Sequence, residues 1–473
     1  MSFVRNFGRV RAGVNHFAGA LLTGLGVSLV SLAGCFSVAD GVPPPLEQFY
    51  YPTGLAVSPG RTTLYVTNSD FDLQYSGGTV QALDLGALRQ TARRLRLSLT
   101  EGAAMDPPRA TAQACAAQAT ALEANDNTAL YPGPCSPVAV EPFVKSTMLI
   151  GAFASATTLA VRPNPCADMK RGARLFVTVR GDPSVTYFDV TDDRALECDP
   201  SGDTIKTLSP CGENGWLGCL SCGPTTNGGR CTSSHLIGTD PTTSQRDLTL
   251  PVDPYGMDVD DRGESIVVAH QTEQTASLIV NRWEPDTEYG LGDVPALEYT
   301  TTNVSAGPTD IASLPIPLLV EENRSSIGYS PAFVVSYRSS PEFTLLRYTS
   351  DDGAGPPRPY LTRSLSAGVA TTASATDSRG IAVDGSERRA CETACGTADR
   401  ALCLRACAES HPLHVYMANR SPAALVVGRI ETYFSEGQDA NGNVVVTGAY
   451  EVPKFYDAVP LAFGSSRVEI GKV

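Results

Sequence analysis

The feature that most constrains this 473-residue chain is a repeated triplet of short apolar segments separated by turns. The first copy, residues 52–85, reads PTGLAV, TLYVTN and TVQALDL, with Gly and Pro in the connections. A fourth apolar segment precedes each new copy, for example 246–252 before the third. Similar triplets recur at residues 157–190, 254–281, 308–349 and 378–431. The repeat therefore predicts an all-β chain built from four-stranded units.

Four antiparallel strands per unit, repeated radially, describe a β-propeller. The chain contains five full units, and residues 466–471 read as the first strand of a sixth. We therefore expect a complete ring of six or seven blades. The present chain is then either shorter than its natural product or closes the ring by an irregular route.

Three insertions interrupt the expected propeller, which spans residues 51–473. Residues 86–140 follow the third strand of the first unit; they include two helical stretches, 88–95 and 111–124, and a candidate disulfide between Cys115 and Cys135. Residues 191–247 follow the third strand of the second unit and are rich in cysteine. With Cys166, these cysteines make an even set of six, for which the sequence leaves the pairing open.

The third insertion, residues 386–411, contains two pairs of cysteines with three residues inside each pair. On a helix this spacing puts both cysteines of a pair on one face. Two antiparallel helices then join Cys391 to Cys407 and Cys395 to Cys403. The pattern resembles a twin C-x3-C helical hairpin.

The first 34 residues have the composition of a secretion signal, with three arginines, no acid and an apolar run over 17–32. The following Leu-Ala-Gly-Cys35 resembles the lipobox of bacterial lipoproteins. That resemblance implies cleavage before Cys35 and acylation of its thiol, so the chain is expected to contact the membrane through Cys35. Residues 35–50, with three consecutive prolines, are expected to form a tether.

Phe36 follows the cysteine, whereas Asp at that position is the inner-membrane retention signal of enteric lipoproteins. The sequence therefore favours the outer membrane, with the protein facing either the periplasm or the cell surface. Twelve cysteines remain once Cys35 is set aside. An even set of this size is typical of an exported, disulfide-bonded protein.

Residues 64–68, Leu-Tyr-Val-Thr-Asn, lie between a PTGLAV strand and a GGTV strand. This arrangement resembles the YVTN-type propeller repeat of the YVTN repeat-like/quinoprotein amine dehydrogenase-like superfamily, over roughly residues 51–473. The resemblance implies a propeller, often of seven blades, in a secreted or surface protein. Its members include quinoprotein dehydrogenase subunits and lactonase-like enzymes, and such a fold does not determine a reaction.

Aligning the second strands of the units brings charged residues to equivalent positions. His270 ends one second strand, and Arg180, Arg338 and Arg420 follow three others. Equivalent positions lie on one ring around the axis, so these side chains are expected at one mouth of the propeller. Arg379 and Asp310, at the starts of first strands, join the same mouth.

Arginine binds carboxylate or phosphate through its planar fork, so the predicted ring suits an anionic ligand or an acidic partner segment. Two alternatives stay open. For the arginines, the alternative to a ligand site is a solvent-exposed rim on which they form ion pairs with nearby acidic residues. For His270, the alternative is a structural role as a hydrogen-bonded residue at the end of a buried strand.

The formal charge of −14 argues against nucleic-acid binding. We find no G-x-S-x-G motif and no Gly-rich phosphate loop, and histidine is scarce, so we assign no catalytic residue, cofactor or metal. For Cys219 and Cys222 a disulfide is a better interpretation than a zinc site. We therefore expect a binding or scaffold module of the cell envelope, for a protein partner or an anionic ligand. A lactonase-like or quinoprotein-dehydrogenase-like enzyme is the alternative.

Acylation of Cys35 is directly testable. We expect Cys35→Ser to abolish incorporation of labelled fatty acid, because the substitution removes the thiol that carries the lipid. Labelling of the protein in bacterial cells, followed by the mass of the mature N-terminal peptide, measures this. Cys115→Ser is the control and should retain full labelling. Equal labelling of the Cys35→Ser chain would contradict the lipoprotein interpretation.

Overall fold

The computed structural model describes residues 41–102, 139–163, 172–195, 219–226, 229–351, 355–368, 376–438 and 440–462, with Arg467, Val468 and Ile470. Cys35, Cys115, Cys135 and the segment 111–124 lie outside the described residues, and their predicted roles stay predictions.

The described strands form five antiparallel sheets, called blades 1 to 5 in chain order. Blade 1 contains β1 (Pro52–Val57), β2 (Thr63–Asn68), β3 (Gly78–Asp84) and β4 (Val144–Ile150). Blade 2 contains β5 (Ala154–Val161), β6 (Ala173–Val179) and β7 (Ser184–Val190), completed by short strands within the second insertion. These are β8 (Leu220–Ser221) and β11 (Leu236–Ile237), whereas two further strands of the insertion, β9 (Thr225–Thr226) and β10 (Arg230–Cys231), extend the sheet of blade 1 beyond β4.

The remaining three blades each have four strands paired in chain order. Blade 3 contains β12 (Pro254–Val259), β13 (Ser265–His270), β14 (Thr275–Val280) and β15 (Ala296–Thr301). Blade 4 contains β16 (Pro308–Ser313), β17 (Ala332–Tyr337), β18 (Glu342–Asp351) and β19 (Arg358–Gly368). Blade 5 contains β20 (Thr376–Asp384), β21 (Leu413–Ser421), β22 (Ala423–Gln438) and β23 (Val444–Pro460).

The sheets are arranged as a β-propeller, which confirms the fold class expected from the repeat. The first strand of each blade packs beside the first strand of the next, from β1 through β20. The core lies in four apolar layers, one between each pair of neighbouring sheets. Alternate residues of the strands fill these layers; Val267 of blade 3 and Phe333 of blade 4, both fully buried, belong to one such layer.

Blade 2 differs from the prediction at its outer edge. Residues 246–252, expected to be its fourth strand, are not a strand; Leu248 and Leu250 instead pack into the core between blades 2 and 3. The outer position is taken by β11, which pairs with β7, and β8 also pairs with β7. β10 runs parallel to β4 and so joins this insertion to blade 1.

The segment around Arg467 occupies the place of a further first strand. A Cβ built on Gly256 of β12 would lie 2.6 Å from the Cα of Asp310, on the first strand of the next blade. A Cβ built on Gly380 of β20 would lie 2.8 Å from the Cα of Arg467 in the same way. The Nη1 of Arg467 also donates to the carbonyl of Thr53 on β1 (3.4 Å). Arg467 therefore lies between the first strands of blades 5 and 1, but Arg467, Val468 and Ile470 are not in a strand, and the first strand predicted for 466–471 stays a prediction.

The described α-helices all lie at one face of the ring, which we call the lower face. In an antiparallel sheet, the connections from first to second strand and from third to fourth strand leave the same edge. The insertions and helices lie in these connections: α1 (Leu85–Gly102), α2 (Leu318–Glu322), α3 (Ser386–Ala394) and α4 (Arg400–Ser410). The opposite, upper face carries mainly short loops. The helix α1 confirms the helical prediction for 88–95.

The cysteines of the hairpin formed by α3 and α4 pair as their spacing predicts, Cys391 with Cys407 and Cys395 with Cys403. The second insertion contains a further disulfide between Cys222 and Cys231, and Cys219 is also disulfide-bonded. The hairpin packs on α2 and on the extended ends of β22 and β23, where Leu404 meets Phe434. The sequence pattern did not predict this extension of blade 5.

Within the described part of the chain, none of the helices combines the length and the apolar character needed to cross a bilayer.

The close approach of first strands gives a stability prediction. We expect Gly256→Ala to lower the free energy of unfolding by about 1–3 kcal/mol, because its methyl group would overlap the backbone of β16. Urea denaturation of the purified chain measures this. Gly355→Ala is the control, since a Cβ there meets no atom within 4 Å. An equal effect of both substitutions would contradict the proposed constraint.

Candidate functional site

A cavity of about 230 Å³ opens at the upper mouth of the ring. Every blade contributes to its wall, and three arginines line it: Arg180 from blade 2, Arg379 from blade 5, and Arg467. The other charged group in the wall is Asp310 of blade 4. The mouth therefore brings together positive side chains that are far apart in the sequence.

Arg180 is held from two sides. Its Nε donates to Oδ1 of Asp253, and its guanidinium lies over the ring of Tyr255, 5.1 Å from the ring centroid. Asp253 is fixed in turn by a left-handed backbone (φ 57°) and by the N–H of Gln271, which donates to its carbonyl (3.0 Å). With respect to the described residues, the two Nη atoms of Arg180 have no hydrogen-bond acceptor. A guanidinium fixed in this way presents its outer edge to the cavity.

Arg379 and Arg338 share one carboxylate, that of Asp377. The Nε of Arg379 lies 2.6 Å from Oδ1 of Asp377, and the Nε of Arg338 lies 3.8 Å from the same atom. The N–H of Asp377 also donates to the carbonyl of Arg338 (2.6 Å). Arg379 is largely buried and lines the cavity, whereas Arg338 is half exposed and lies outside the lining.

Two other predicted ligand residues do not line the cavity. Arg420 is exposed near the end of β21. His270 is fully buried, with Nδ1 3.1 Å from the carbonyl of Val252 and Nε2 2.8 Å from Oγ of Ser277. Burial lowers the pKa of His270 to about 4, so its ring is neutral at physiological pH. His270 is therefore a hydrogen-bonded residue at the end of a buried strand, as the alternative interpretation of the sequence has it.

Asp310 is the titratable group of the mouth. Its Oδ2 accepts the N–H of Ile381 on blade 5 (3.0 Å). Burial raises the pKa of Asp310 to about 7, although this N–H and the positive charge of Arg467 oppose the shift. Asp310 also lines a second cavity of about 390 Å³ that continues along the axis. There Asp258 accepts the N–H and Oγ–H of Ser313, while burial raises its pKa.

The arrangement is suited to holding an anion. Arg180, which Asp253 orients, lines one small cavity with Arg379 and Arg467, beside the buried hydroxyl of Ser69, whose Oγ has no hydrogen-bond partner in the described part of the chain. Among the described residues, three potential metal ligands come close together in the cysteine-rich hairpin. They are the sulfur atoms of Cys395, Cys403 and Cys407, which are already disulfide-bonded.

The alignment of strands thus located part of the mouth, since Arg180, Arg379 and Asp310 all line the cavity. Arg338 lies outside the lining, but it is close to Asp377, which also contacts Arg379. The alignment did not identify Arg467, Tyr255 or Asp253. One signal for Arg467 is present, because the Ser-Arg pair at 466–467 repeats the pair at 378–379, where Arg379 starts a first strand.

No protein-family model matches the chain, and no curated protein matches it. Several solved structures resemble it at low sequence identity, with TM-scores below 0.5. A putative 6-phosphogluconolactonase from Bacteroides uniformis is 12% identical, with a TM-score of 0.36, over 90% of this chain and 77% of that one. The periplasmic gluconolactonase of Pseudomonas aeruginosa is 12% identical, with a TM-score of 0.29, over 91% and 94% of the two chains. A functionally unknown protein from Desulfotomaculum acetoxidans is 9% identical, with a TM-score of 0.36, over 85% and 74%.

Asp310 gives a prediction about pH. Because its folded pKa is raised, the folded protein takes up a proton as the pH falls through about 7, and this contribution to stability grows between pH 8 and pH 4. Asp310→Asn removes the buried charge and is expected to raise the free energy of unfolding at pH 8 by roughly 2 kcal/mol, and by much less at pH 5. Urea denaturation at the two pH values measures this.

The control for this experiment is Asp182→Asn, an exposed aspartate at the same face. Its effect on stability is expected to be small and equal at both pH values. A stabilisation by Asp310→Asn that does not change with pH would show that Asp310 does not titrate as expected.

Proposed function

We propose that this chain is a lipid-anchored β-propeller of the cell envelope that binds a carboxylate- or phosphate-bearing ligand at its upper mouth. The observation that carries the proposal is the convergence of Arg180, Arg379 and Arg467 on one cavity. Arginines from three separate parts of the chain meet at the one opening where the upper loops surround the axis. Such convergence is typical of a binding site for an anion.

The geometry of the pairs favours a ligand over a merely ion-paired rim. Asp253 accepts a hydrogen bond from Nε of Arg180, whereas Oδ1 of Asp377 lies 2.6 Å from Nε of Arg379 without hydrogen-bond geometry. In the described part of the chain, the Nη atoms of Arg180 and Arg379 have no hydrogen-bond acceptor. Asp253 therefore orients the guanidinium of Arg180, which reduces the entropy lost when an anion binds.

The lipobox at Cys35 supports the envelope location. The chain that follows it reaches blade 1 at Leu46, whose carbonyl accepts from Gln81 Nε2 (2.8 Å) and Thr147 Oγ1 (2.7 Å). Residues from Leu46 onward are thus attached to the propeller, and the tether is shorter than the sequence alone predicts. We propose the outer membrane as the location. The proposed ligands include an acidic segment of another envelope protein.

A propeller enzyme is the second candidate, because of Asp310. A carboxyl group with a pKa of about 7 beside an anion-binding cavity has the properties of a general acid or base at neutral pH. In a lactonase-like reaction, the arginines would hold the anionic substrate, and Asp310 would accept a proton from the attacking water.

Isothermal titration calorimetry with citrate and with inorganic phosphate tests the binding site. We expect the double variant Arg180→Gln, Arg379→Gln to bind the better of the two probes more weakly by about a hundredfold or more, since each of the two charge-assisted hydrogen bonds contributes about 1.5–3 kcal/mol. Arg420→Gln is the matched control, because Arg420 lies outside the cavity.

Each outcome of this titration decides something. Equal weakening by Arg420→Gln would point to a diffuse surface effect and contradict the site. If neither probe binds the unsubstituted chain, the proposed class of ligand is wrong. Hydrolysis of 6-phosphogluconolactone that is lost in Asp310→Asn would favour the enzyme over the binding module.

A further inference from the structure

The loop that joins β2 to β3, residues 69–77, presents two apolar side chains to solvent. Phe71 is 55% exposed and Leu73 is 61% exposed. Asp70 and Leu73 both have a left-handed backbone, with φ of 52° and 55°. For a leucine this conformation is unfavourable, so the surrounding contacts must hold it.

Those contacts make the loop rigid. The buried carboxylate of Asp70 accepts the N–H of Tyr75 (3.1 Å), and the N–H of Leu73 donates to the carbonyl of Asp70 (3.2 Å). The ring of Tyr75 packs edge-on against Tyr50, with centroids 4.9 Å apart. The loop thus fixes Phe71 and Leu73 outward rather than letting them fold back onto the core.

Two further aromatic residues extend this surface. Tyr51, 52% exposed, lies 6.2 Å from Phe71 between ring centroids, and Phe153 lies 5.7 Å from Phe71. Both have positive φ, 47° and 60°. We call Tyr51, Phe71, Leu73 and Phe153 the aromatic tip.

The aromatic tip and the arginine cavity form one unit. Three backbone hydrogen bonds connect them. The N–H of Ser69 donates to the carbonyl of Tyr51 (2.9 Å), and the N–H of Phe153 donates to the carbonyl of Ser69 (2.7 Å). The N–H of Arg180 then donates to the carbonyl of Phe153 (3.3 Å). Phe71 and Phe153 also line the cavity that contains Arg180. When the aromatic tip inserts into a surface, an anionic group on that surface therefore also comes within reach of the arginines.

The chain itself indicates what this surface meets. Cys35, the predicted site of acylation, precedes Leu46 by eleven residues, and Leu46 is hydrogen-bonded to blade 1. An extended segment of that length spans at most roughly 40 Å. Blade 1, which presents most of the aromatic tip, is thus the blade that the shortest stretch of chain joins to the proposed anchor.

We propose that the aromatic tip docks into the interfacial region of the phospholipid bilayer that holds the lipid anchor, with a lipid phosphate at the arginine cavity. Exposed aromatic and leucine side chains partition into that region, and arginine binds the phosphate group. The exposed carboxylate of Asp72 within the loop would repel anionic lipids, which argues against docking driven by electrostatic attraction alone. The docking is driven by apolar side chains and does not require an anionic lipid. The inference rests on the proposed lipid anchor and deepens the proposed anion site.

Quenching by brominated lipid tests the docking. The full lipidated chain is reconstituted into phosphatidylcholine vesicles that contain dibrominated acyl chains, and tryptophan emission is measured for Phe71→Trp. The matched control is Leu402→Trp, which lies in α4 on the lower face and is 69% exposed. We expect severalfold stronger quenching for Phe71→Trp, after subtraction of the unsubstituted chain. Equal quenching of both variants, or no quenching of either, would overturn the docking.

Leu73→Asn separates docking from ligand binding. Asn tolerates the left-handed backbone, so the fold is expected to be kept. In the Phe71→Trp background, Leu73→Asn should reduce the quenching to near that of the control and leave citrate or phosphate titration unchanged, because Leu73 does not line the cavity.

The two proposals fail in different ways. Intact anion binding without quenching overturns only the docking, whereas quenching without anion binding overturns the arginine site and its contact with lipid phosphate. Quenching that free inorganic phosphate abolishes would show that the arginine contact dominates and that the apolar tip does not drive docking. The mass of the mature N-terminus establishes the anchor separately.

Discussion

The close packing of first strands around the axis is the constraint on which the rest of the structure depends. At Gly256 and Gly380 the neighbouring backbone leaves no space for a Cβ. The blades can therefore approach one another closely enough to bury apolar layers between their faces. This spacing also decides which upper loops meet, because the loops follow from the ends of the first and second strands.

The mouth is a direct consequence of that spacing. Arg180, Arg379 and Arg467 come from distant parts of the chain and meet since their strands share one axis. Aspartates with left-handed backbones, Asp253 and Asp377, stand beside two of them, and Asp253 orients Arg180. Backbone strain is thus concentrated where a ligand would bind, as is common in functional sites.

The topology also separates two kinds of surface. Connections on the upper face are mainly short and build the mouth, whereas the insertions, the disulfide-bonded hairpin and the extended strands of blade 5 lie on the lower face. Since alternate edges of an antiparallel blade carry alternate connections, the long segments can grow without changing the mouth. The aromatic tip is an upper-face feature, and three backbone hydrogen bonds connect it to Arg180 in the cavity wall.

By itself, the sequence determined the repeat, the four-stranded blades and the pairing of the cysteines in the hairpin, because strand periodicity and helical spacing are local properties. The alignment of repeats also located Arg180, Arg379 and Asp310, since equivalent positions in a ring share one height. Only the tertiary structure decided that Arg338 and Arg420 stay outside the cavity, that His270 is a buried neutral residue, and that β11 replaces 246–252 as the edge of blade 2. Those outcomes depend on packing between segments far apart in the chain, and on which local aspartate reaches each arginine. No pattern within a single repeat contains that information.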